Sequence, residues 1–329
     1  MSVIVFPGQG SQFVGMSRDF YDNFDSAKHI FSLIQDTTKI KIKDIIFENS
    51  EGFLDITQYT QLAIFCASMS IYRVFKEEID LDSLNIKYML GHSLGEYLAL
   101  TASDTLSLEE CSKLLKIRGE LMQNAYEVNK SGMVAIIGLN CNSVEKIIVD
   151  NDLKVEIAND NSPMQIVISG IKENLNQSEK IFKQNGAKKF VFLNVSAAFH
   201  SKIMLKAEKR MKHFIDNSIF KDPRIPIISN YTAVSSKDKL VLSNNLSKQM
   251  SNRVKWVESV QFLEKMQEDT IIEIGPGKVL TGLIKRISNK FKVHNIENIS
   301  DITRFKDEFQ FKKKKSFDYW LFRWHWFIY

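Results

Sequence analysis

Short apolar runs alternate along this chain with longer segments in which apolar residues recur every three or four positions. Residues 3–6 are predicted to form a buried strand that runs into the loop PGQGSQ, and helical periodicity is clear over 60–78 and 108–128. Residues 88–90 are a second short apolar run, and 94–101 have the pattern of a helix. This alternation of strands and helices predicts an α/β core with a parallel sheet.

The pattern changes over residues 131–195. Here the predicted order is strand, helix, strand, strand, helix, strand, in the segments MVAIIGL, NSVEKIIVDN, KVEIAN, QIVISG, ENLNQSEKIFKQN and KKFVFLNV. That β-α-β-β-α-β order is the ferredoxin-like arrangement. After it, helices are predicted near 201–216, 240–250 and 256–267, and strands near 225–229 and 270–274.

These patterns together predict an α/β protein with two domains. We expect a discontinuous, α/β-hydrolase-like large domain over 1–130 and 196–310, interrupted by a ferredoxin-like small domain over 131–195. The cleft between two such domains is the natural place for a ligand.

The stretch YMLGHSLGEYLAL, residues 88–100, places Ser93 at the junction of a predicted strand and a predicted helix. A serine there is either a cap for the helix that begins at Leu94 or a nucleophile on the sharp turn called a nucleophile elbow. Residue type alone favours the cap, but glycines at 91 and 95 permit the sharp turn and favour the elbow. The same turn leaves the amide of Leu94 free at a helix N-terminus, where it can bind a developing oxyanion.

Composition narrows the classes of protein that fit. With 329 residues, 44% of them hydrophobic, and only 14 glycines and 5 prolines, the chain is neither disordered nor a repeat protein. No apolar run is long enough to span a membrane, and the N-terminus has no signal-peptide pattern. Cys66, Cys111 and Cys141 lack metal-binding spacing, which indicates reduced core residues and a cytoplasmic protein.

The formal charge of +5 is concentrated at the end of the chain. Residues 311–329 contain five basic residues, Lys312 to Lys315 and Arg323, against the single acid Asp318, and so contribute +4. The rest of the chain is therefore nearly neutral and has no basic and aromatic stripe, which argues against a nucleic-acid partner. We expect no membrane partner either.

Six segments carry a family resemblance. They are FPGQGSQ at 6–12, GHSLGEY at 91–97, IRGELMQ at 117–123, ANDNSPMQIVISG at 158–170, VSAAFHS at 195–201 and EIGPGKVLTGLIKRI at 273–287. In order and spacing they resemble the malonyl-CoA:acyl carrier protein transacylases, the loading enzymes of bacterial fatty-acid synthesis, over about residues 2–305. The resemblance favours Ser93 as a nucleophile over Ser93 as a cap.

The resemblance implies a Ser-His dyad and the groups that support it. The histidine of VSAAFHS is His200, which would take the proton of Ser93 on attack and return it to the departing thiol. The family's two oxyanion donors correspond to the backbone amides of Gln9 and Leu94. A backbone carbonyl beside a glutamine orients the family's histidine, and Gln249 matches that glutamine.

The resemblance also implies residues that bind the substrate. Arg118, in the I-R-G segment, matches the arginine that holds the malonyl carboxylate, and a planar guanidinium can hold a carboxylate through two hydrogen bonds. Phe199 matches the bulky residue of malonyl-selective members, where methylmalonyl-selective relatives tend to have serine, and Gln165 is assigned to substrate binding. The chain departs from the family at Arg253, which stands where proline is usual.

The expected activity is ping-pong transfer of a malonyl group from malonyl-CoA to the phosphopantetheine thiol of acyl carrier protein through a malonyl-Ser93 ester, without a metal or another cofactor. We expect the enzyme to be a monomer. One alternative is a serine hydrolase or thioesterase, which would need an acidic third member of the triad. A second alternative is a non-catalytic module that docks a carrier protein, although such a module would have no reason to keep Ser93, His200 and Arg118.

The end of the chain, FKKKKSFDYWLFRWHWFIY over 311–329, lies past these motifs and is rich in tryptophan and phenylalanine. Its lysines and aromatic residues are compatible with a membrane-seeking segment. With suitable codons, however, FDYWLFRWHWFI read one base later spells LIIGSSGGIGL, a strand and glycine-rich turn typical of a dinucleotide-binding enzyme such as a ketoacyl reductase. We therefore interpret the tail as the product of a frameshift or an overlapping frame.

Overall fold

The structure, a computed structural model, describes residues 1–127 and 129–309; the tail interpreted above lies outside the described residues. The strands of the described chain are β1 Ser2–Phe6, β2 Ile86–Gly91, β3 Ser131–Ile137, β4 Val155–Ser162, β5 Gln165–Ile171, β6 Lys189–Phe192, β7 Ile227–Ile228, β8 Ser235–Ser236, β9 Thr270–Ile274 and β10 Lys292–Ile296.

The helices are α1 Arg18–Asn23, α2 Asp25–Thr38, α3 Ile42–Phe47, α4 Thr57–Glu78, α5 Leu81–Leu84, α6 Leu94–Ala102, α7 Leu108–Gln123, α8 Cys141–Asp150, α9 Lys172–Gln184, α10 Leu205–Asp216, α11 Lys239–Gln249, α12 Trp256–Lys265 and α13 Val279–Ile287. Short 3₁₀ turns cover Phe53–Asp55 and Lys202–Met204, and residues 299–309 are helical.

The large sheet has the order β10-β9-β1-β2-β7-β8, parallel throughout except for β8, which runs antiparallel to β7. Strands β1 and β2 are neighbours in register, with Phe6 opposite Gly91. Because parallel strands end at the same edge of a sheet, the loop after β1 and the turn after β2 meet there, where ligands bind in open α/β sheets. The α/β prediction is confirmed.

The longest helix, α4, is buried along most of its length, which explains why its sequence is apolar around much of its circumference. Helices α2 and α7 pack against it. Helix α7 thereby enters the core and carries Arg118 with it, although the sequence of α7 has the pattern of an ordinary amphipathic helix.

The small sheet is antiparallel and has the order β4-β5-β3-β6, with α8 and α9 on one face. This is the strand order of a ferredoxin-like fold, as predicted. Alternate side chains point to opposite faces of a strand, so Val134 and Ile136 of β3 pack beneath the helices while Met133 and Ala135 face the large domain. Both faces of this sheet are therefore apolar.

Backbone hydrogen bonds connect strand β4 of the small sheet to the segment between α11 and α12. The amide of Val254 donates to the carbonyl of Ala158 at 2.8 Å, and the amide of Asp160 donates to the carbonyl of Val254 at 3.1 Å. A segment of the C-terminal part of the chain thus extends the edge of β4. The boundaries 1–130, 131–195 and 196–310 stay a prediction.

Two details of the predicted elements differ from the structure. The helix predicted over 108–128 ends at Gln123, and the backbone and side-chain amides of Asn124 both donate to the carbonyl of Glu120, at 3.1 and 2.9 Å. Helix α13, strands β8 and β10 and the helix over 299–309 had no prediction. Across residues 1–127 and 129–309, none of the helices combines the length and the apolar character needed to cross a bilayer.

Candidate active site

Ser93 lies in the turn between β2 and α6 with a strained backbone, φ 52° and ψ −102°. A conformation of this kind costs about 1–3 kcal/mol and persists only where the surroundings enforce it. The residue occupies the N-cap position of α6, but its hydroxyl makes no capping hydrogen bond. The interpretation of Ser93 as a helix cap is therefore wrong.

The glycines beside Ser93 are required by close packing. A Cβ on Gly91 would lie 2.1 Å from the carbonyl carbon of Gly95, and a Cβ on Gly95 would lie 2.2 Å from the carbonyl oxygen of Phe6. The left-handed backbone torsion of the turn belongs to Ser93 itself. The glycines thus allow β1, the turn and α6 to touch through their backbones.

Ser93 and His200 are in hydrogen-bond contact. The Oγ of Ser93 lies 2.8 Å from Nε2 of His200, whose Nδ1 lies 2.9 Å from the carbonyl oxygen of Gln249. A carbonyl oxygen can only accept, so Nδ1 carries the proton and Nε2 presents its lone pair to the serine hydroxyl. This is the tautomer that a general base needs.

His200 is only 4% exposed. Burial and then the positive charge of Arg118 lower the pKa of His200 to about 3. The imidazole is consequently neutral at physiological pH, with the lone pair of Nε2 unprotonated.

Arg118 brings a buried cation to the dyad. It is 1% exposed, and its Nη2 donates to Ser93 Oγ at 3.1 Å while its Nη1 donates to Oε1 of Gln61 at 2.6 Å. The guanidinium also lies 5.2 Å from the ring centroid of Tyr97. Within residues 1–127 and 129–309 it forms no ion pair, and its Nε has no hydrogen-bond partner. A buried cation without a direct ion pair favours an anionic ligand beside the serine.

Gln249 contacts every member of this group. Besides accepting from His200 through its carbonyl, it accepts from Nη2 of Arg118 through Oε1 at 3.0 Å. Its Nε2 donates to the carbonyl of Ser93 at 2.9 Å. One residue at the end of α11 therefore fixes the nucleophile's turn, the imidazole and the guanidinium together.

The two amides predicted to bind an oxyanion line the same cleft as Ser93 and His200. Leu94 is the first residue of α6, so its amide lies outside the hydrogen bonds of the helix. Gln9 lies in the loop after β1, and its side chain donates to Oγ1 of Thr57 at 3.1 Å, which ties that loop to α4.

The cleft has a volume of about 370 Å³ and is lined from both domains. Phe199 is 5% exposed and lies in the wall together with Met122 and Met133. Gln165 lies in the lining at the start of β5, where its Oε1 accepts from Nη1 of Arg286 at 2.9 Å. The structure thus brings the predicted site residues to one cleft, with Gln165 held by α13, except for Gln249, which is buried behind Ser93, His200 and Arg118 and does not line the cleft.

Arg253 joins two helices. Its Nη1 donates to Oε1 of Glu145 at 2.7 Å and contacts Sγ of Cys141 at 3.1 Å, both on α8. Its Nη2 lies 3.5 Å from Oε1 of Glu258 on α12. Arg253 therefore forms an ionic link between α8 and the C-terminal part of the chain.

Several residues of the site had no prediction from the sequence. Gln61 holds Arg118, and a hydrogen bond of 2.8 Å joins Asn161 to His92. Asn230 accepts from the amide of Ser93, and Glu96 accepts from the amide of Asn230. The sequence held a signal for two of them, because Gln61 and Glu96 are polar residues directly before the apolar runs LAIF and YLAL, whose positions are buried in the structure. Asn230 gave none, since it follows a two-residue strand.

Comparison with known proteins agrees with this geometry. The acyl transferase domain family matches residues 3–317, which is beyond residue 305, where the resemblance was expected to end. A malonyl CoA-acyl carrier protein transacylase of Staphylococcus aureus (strain MRSA252) is 36% identical over 304 residues, which are 92% of this chain and 97% of that protein.

Solved structures agree as well. The crystal structure of an acyl-carrier-protein-S-malonyltransferase from Bartonella henselae matches with a TM-score of 0.89 and 36% identity, covering 94% of this chain and 99% of that one. A malonyl-transacylase solved in complex with its type II PKS acyl-carrier protein matches with a TM-score of 0.87 and 31% identity, covering 92% and 97%. Its relatives in these comparisons are malonyl-CoA:acyl carrier protein transacylases, and the chain itself belongs to the acyl transferase family.

Proposed function

We propose that this protein transfers a malonyl group from malonyl-CoA to the phosphopantetheine thiol of acyl carrier protein. The observation that carries the proposal is the buried guanidinium of Arg118, 3.1 Å from Ser93 Oγ. An acyl group on Ser93 lies within reach of this cation, which favours an acyl group that ends in a carboxylate.

In the first half of the reaction, Ser93 Oγ attacks the thioester carbonyl of malonyl-CoA while its proton moves to Nε2 of His200. The negative charge that develops on the carbonyl oxygen faces the amides of Leu94 and Gln9, and each such donor is worth about 3 kcal/mol. As the tetrahedral intermediate collapses, the C–S bond breaks and the CoA thiol takes the proton from His200. A malonyl-Ser93 ester remains.

In the second half, the phosphopantetheine thiol of the carrier protein gives its proton to His200 and attacks the ester. The C–O bond to Ser93 breaks, and the serine recovers the proton. Arg118 holds the free carboxylate through both halves, so that the ester carbonyl keeps one orientation toward the incoming thiol. A relative has been solved in complex with its acyl-carrier protein, which supports a carrier protein as the acceptor. A cytoplasmic location is part of the same proposal.

Intact mass spectrometry tests the proposal. After mixing with malonyl-CoA, we expect a malonyl adduct on the wild-type protein and none on Ser93→Ala. The adduct should persist in buffer and disappear when holo-acyl carrier protein is added. Decay of the adduct in buffer alone would identify a hydrolase, and a full adduct on Ser93→Ala would overturn the mechanism.

A further inference from the structure

Two side-chain amides hold the backbone of Ser93 from opposite sides. The Oδ1 of Asn230 accepts from the amide of Ser93 at 2.6 Å, and Nε2 of Gln249 donates to the carbonyl of Ser93 at 2.9 Å. Asn230 also donates through Nδ2 to the carbonyl of Gly91 at 2.7 Å. The strained turn is thus held on both of its peptide groups by residues that are distant in the sequence.

Asn230 and Gln249 both donate a hydrogen bond to the carboxylate of Glu96. The Oε2 of Glu96 accepts from the backbone amide of Asn230 at 3.1 Å and from Nε2 of Gln249 at 2.7 Å. Glu96, Asn230 and Gln249 are each 1% exposed, so water does not replace these bonds. We call Glu96, Asn230 and Gln249 the elbow frame.

The frame connects four parts of the fold at Ser93. Gly91 ends β2, Glu96 lies in the first turn of α6, Asn230 follows β7 and Gln249 ends α11. A shift of the frame by a fraction of an ångström would move the serine hydroxyl relative to His200. It would also move the amide of Leu94, which follows Ser93 directly.

The contacts favour a geometric role for Glu96 over a role as the counter-ion of Arg118. The guanidinium reaches Oε1 of Gln249, and the amide of Gln249 stands between it and the carboxylate. The hydrogen bonds at Glu96 Oε2 both come from N–H groups, and an amide oxygen in the same place can also accept them. A glutamine at this position therefore keeps the frame and removes the charge.

We propose that Asn230 and Glu96 are positioning residues for the transfer reaction, which hold the turn at Ser93 so that the hydroxyl meets His200 and the Leu94 amide faces the reacting carbonyl. The inference rests on the proposed function in taking Ser93 as the nucleophile. Gln249 contributes to the same frame, but its contacts with His200 and Arg118 make it unsuitable for a separate test.

The test uses a fluorophosphonate probe, which reacts with an activated serine whatever acyl group the enzyme uses. Ser93 Oγ forms a bond to phosphorus, fluoride leaves, and the serine proton passes to His200. Acylation by malonyl-CoA is measured in parallel. If the wild type reacts with the probe but not with malonyl-CoA, the proposed function is wrong, and the role of the elbow frame can still be tested with the probe. The variants are Asn230→Ala, Glu96→Ala and Glu96→Gln, with Asn151→Ala as the control.

Asn151 is a suitable control because its side-chain amide donates to the carbonyl of Ile147 at 2.9 Å, at the end of α8 and outside the cleft lining. For each variant, thermal unfolding, the final labelled fraction and the labelling rate per labelled molecule are measured separately. A merely structural role lowers the melting temperature and the labelled fraction but leaves the rate per labelled molecule unchanged.

We expect Asn230→Ala and Glu96→Ala to be labelled about 10- to 100-fold more slowly per active molecule, as for displacements of about 1 Å at a reacting group. Glu96→Gln should recover most of the rate, and Asn151→Ala should match the wild type. If Asn230→Ala does not fold, Asn230→Ser removes the same contact with a smaller loss of polar surface and should show the same slowing. Wild-type rates in Asn230→Ala or Asn230→Ser, or a Glu96→Gln variant as slow as Glu96→Ala, would overturn the proposal.

Discussion

The low pKa of His200 makes the protein less stable in acid, and this effect can be measured. In the unfolded chain the imidazole gains a proton as the pH falls below about 6.5, its ordinary pKa. In the folded protein, burial and the charge of Arg118 hold the pKa at about 3, so the imidazole stays neutral. Because only the unfolded state gains a proton between these values, the free energy of unfolding falls as the pH falls from about 6.5 toward 3.

The magnitude follows from the two pKa values. At pH 7 the histidine is almost neutral in both states and contributes little. At pH 4.5 it is almost fully protonated when unfolded and almost fully neutral when folded, a difference of about 2 to 3 kcal/mol. For a domain of ordinary stability this is a substantial fraction of the total.

His200→Asn removes the titration and keeps much of the local geometry. His200 has φ 57°, a conformation that asparagine tolerates better than most residues, and the asparagine amide can donate toward Gln249 as Nδ1 does. Urea unfolding at pH 7 and at pH 4.5 compares the wild type, His200→Asn and His213→Asn, the last being an exposed histidine on α10. We expect the wild type and His213→Asn to lose about 2 to 3 kcal/mol more than His200→Asn between the two pH values.

Equal losses in all three proteins would refute the reasoning, because His200 would then take up its proton in the folded state at ordinary pH. A kinetic measurement checks the same point. The kcat/KM of Ser93 malonylation, which reports the pKa of His200 before malonyl-CoA binds, should stay level as the pH falls from 8 to 5, since the base is already unprotonated. A loss of rate centred near pH 6.5 would contradict the low pKa.

The remaining predictions concern substrate choice and the end of the chain. Arg118→Ala should slow malonyl transfer by roughly 10- to 150-fold, the value of a hydrogen bond to a charged group, and should affect acetyl transfer far less; equal losses would make Arg118 structural. Phe199→Ser should raise the rate with methylmalonyl-CoA relative to malonyl-CoA, because the wall of the cleft recedes, and an unchanged ratio would exclude Phe199 from selectivity. Truncation after Gln310 should leave transfer unchanged and improve solubility, and the gene should encode a reductase in the next frame; loss of activity would show that the tail belongs to the enzyme.

The elements with strong periodicity were predictable from the sequence, and the order β-α-β-β-α-β was enough to indicate the small domain. The end of α7 was not predictable from periodicity, because the apolar pattern continues to residue 128 while the helix ends at Gln123, with Asn124 as its C-cap. Strand β10 lies at the edge of the large sheet and is only partly buried, so its sequence, KVHNI, lacks a clear alternating pattern.

The candidate site was predictable where a short motif builds the chemistry and not where distant chain segments meet. The elbow at Ser93 can be recognised from the sequence because its strand, turn and helix are consecutive. Asn230 reaches that turn across 137 residues of sequence, and its own surroundings are an ordinary loop. The burial of Arg118 was also hidden, because it results from packing between α7 and α4 and not from the pattern of α7.

The placement of Arg118 beside His200 couples recognition of the substrate to the strength of the base. The positive charge of Arg118 is one cause of the low pKa of His200, after burial. A malonyl carboxylate on the guanidinium offsets that charge, so the pKa of His200 rises when malonyl is bound and the imidazolium formed during attack becomes less costly. Acetyl brings no carboxylate and leaves the base weak. Arg118→Ala removes the repulsion permanently, which is the physical reason to expect that acetyl transfer is spared, or even accelerated, in the variant that loses malonyl transfer.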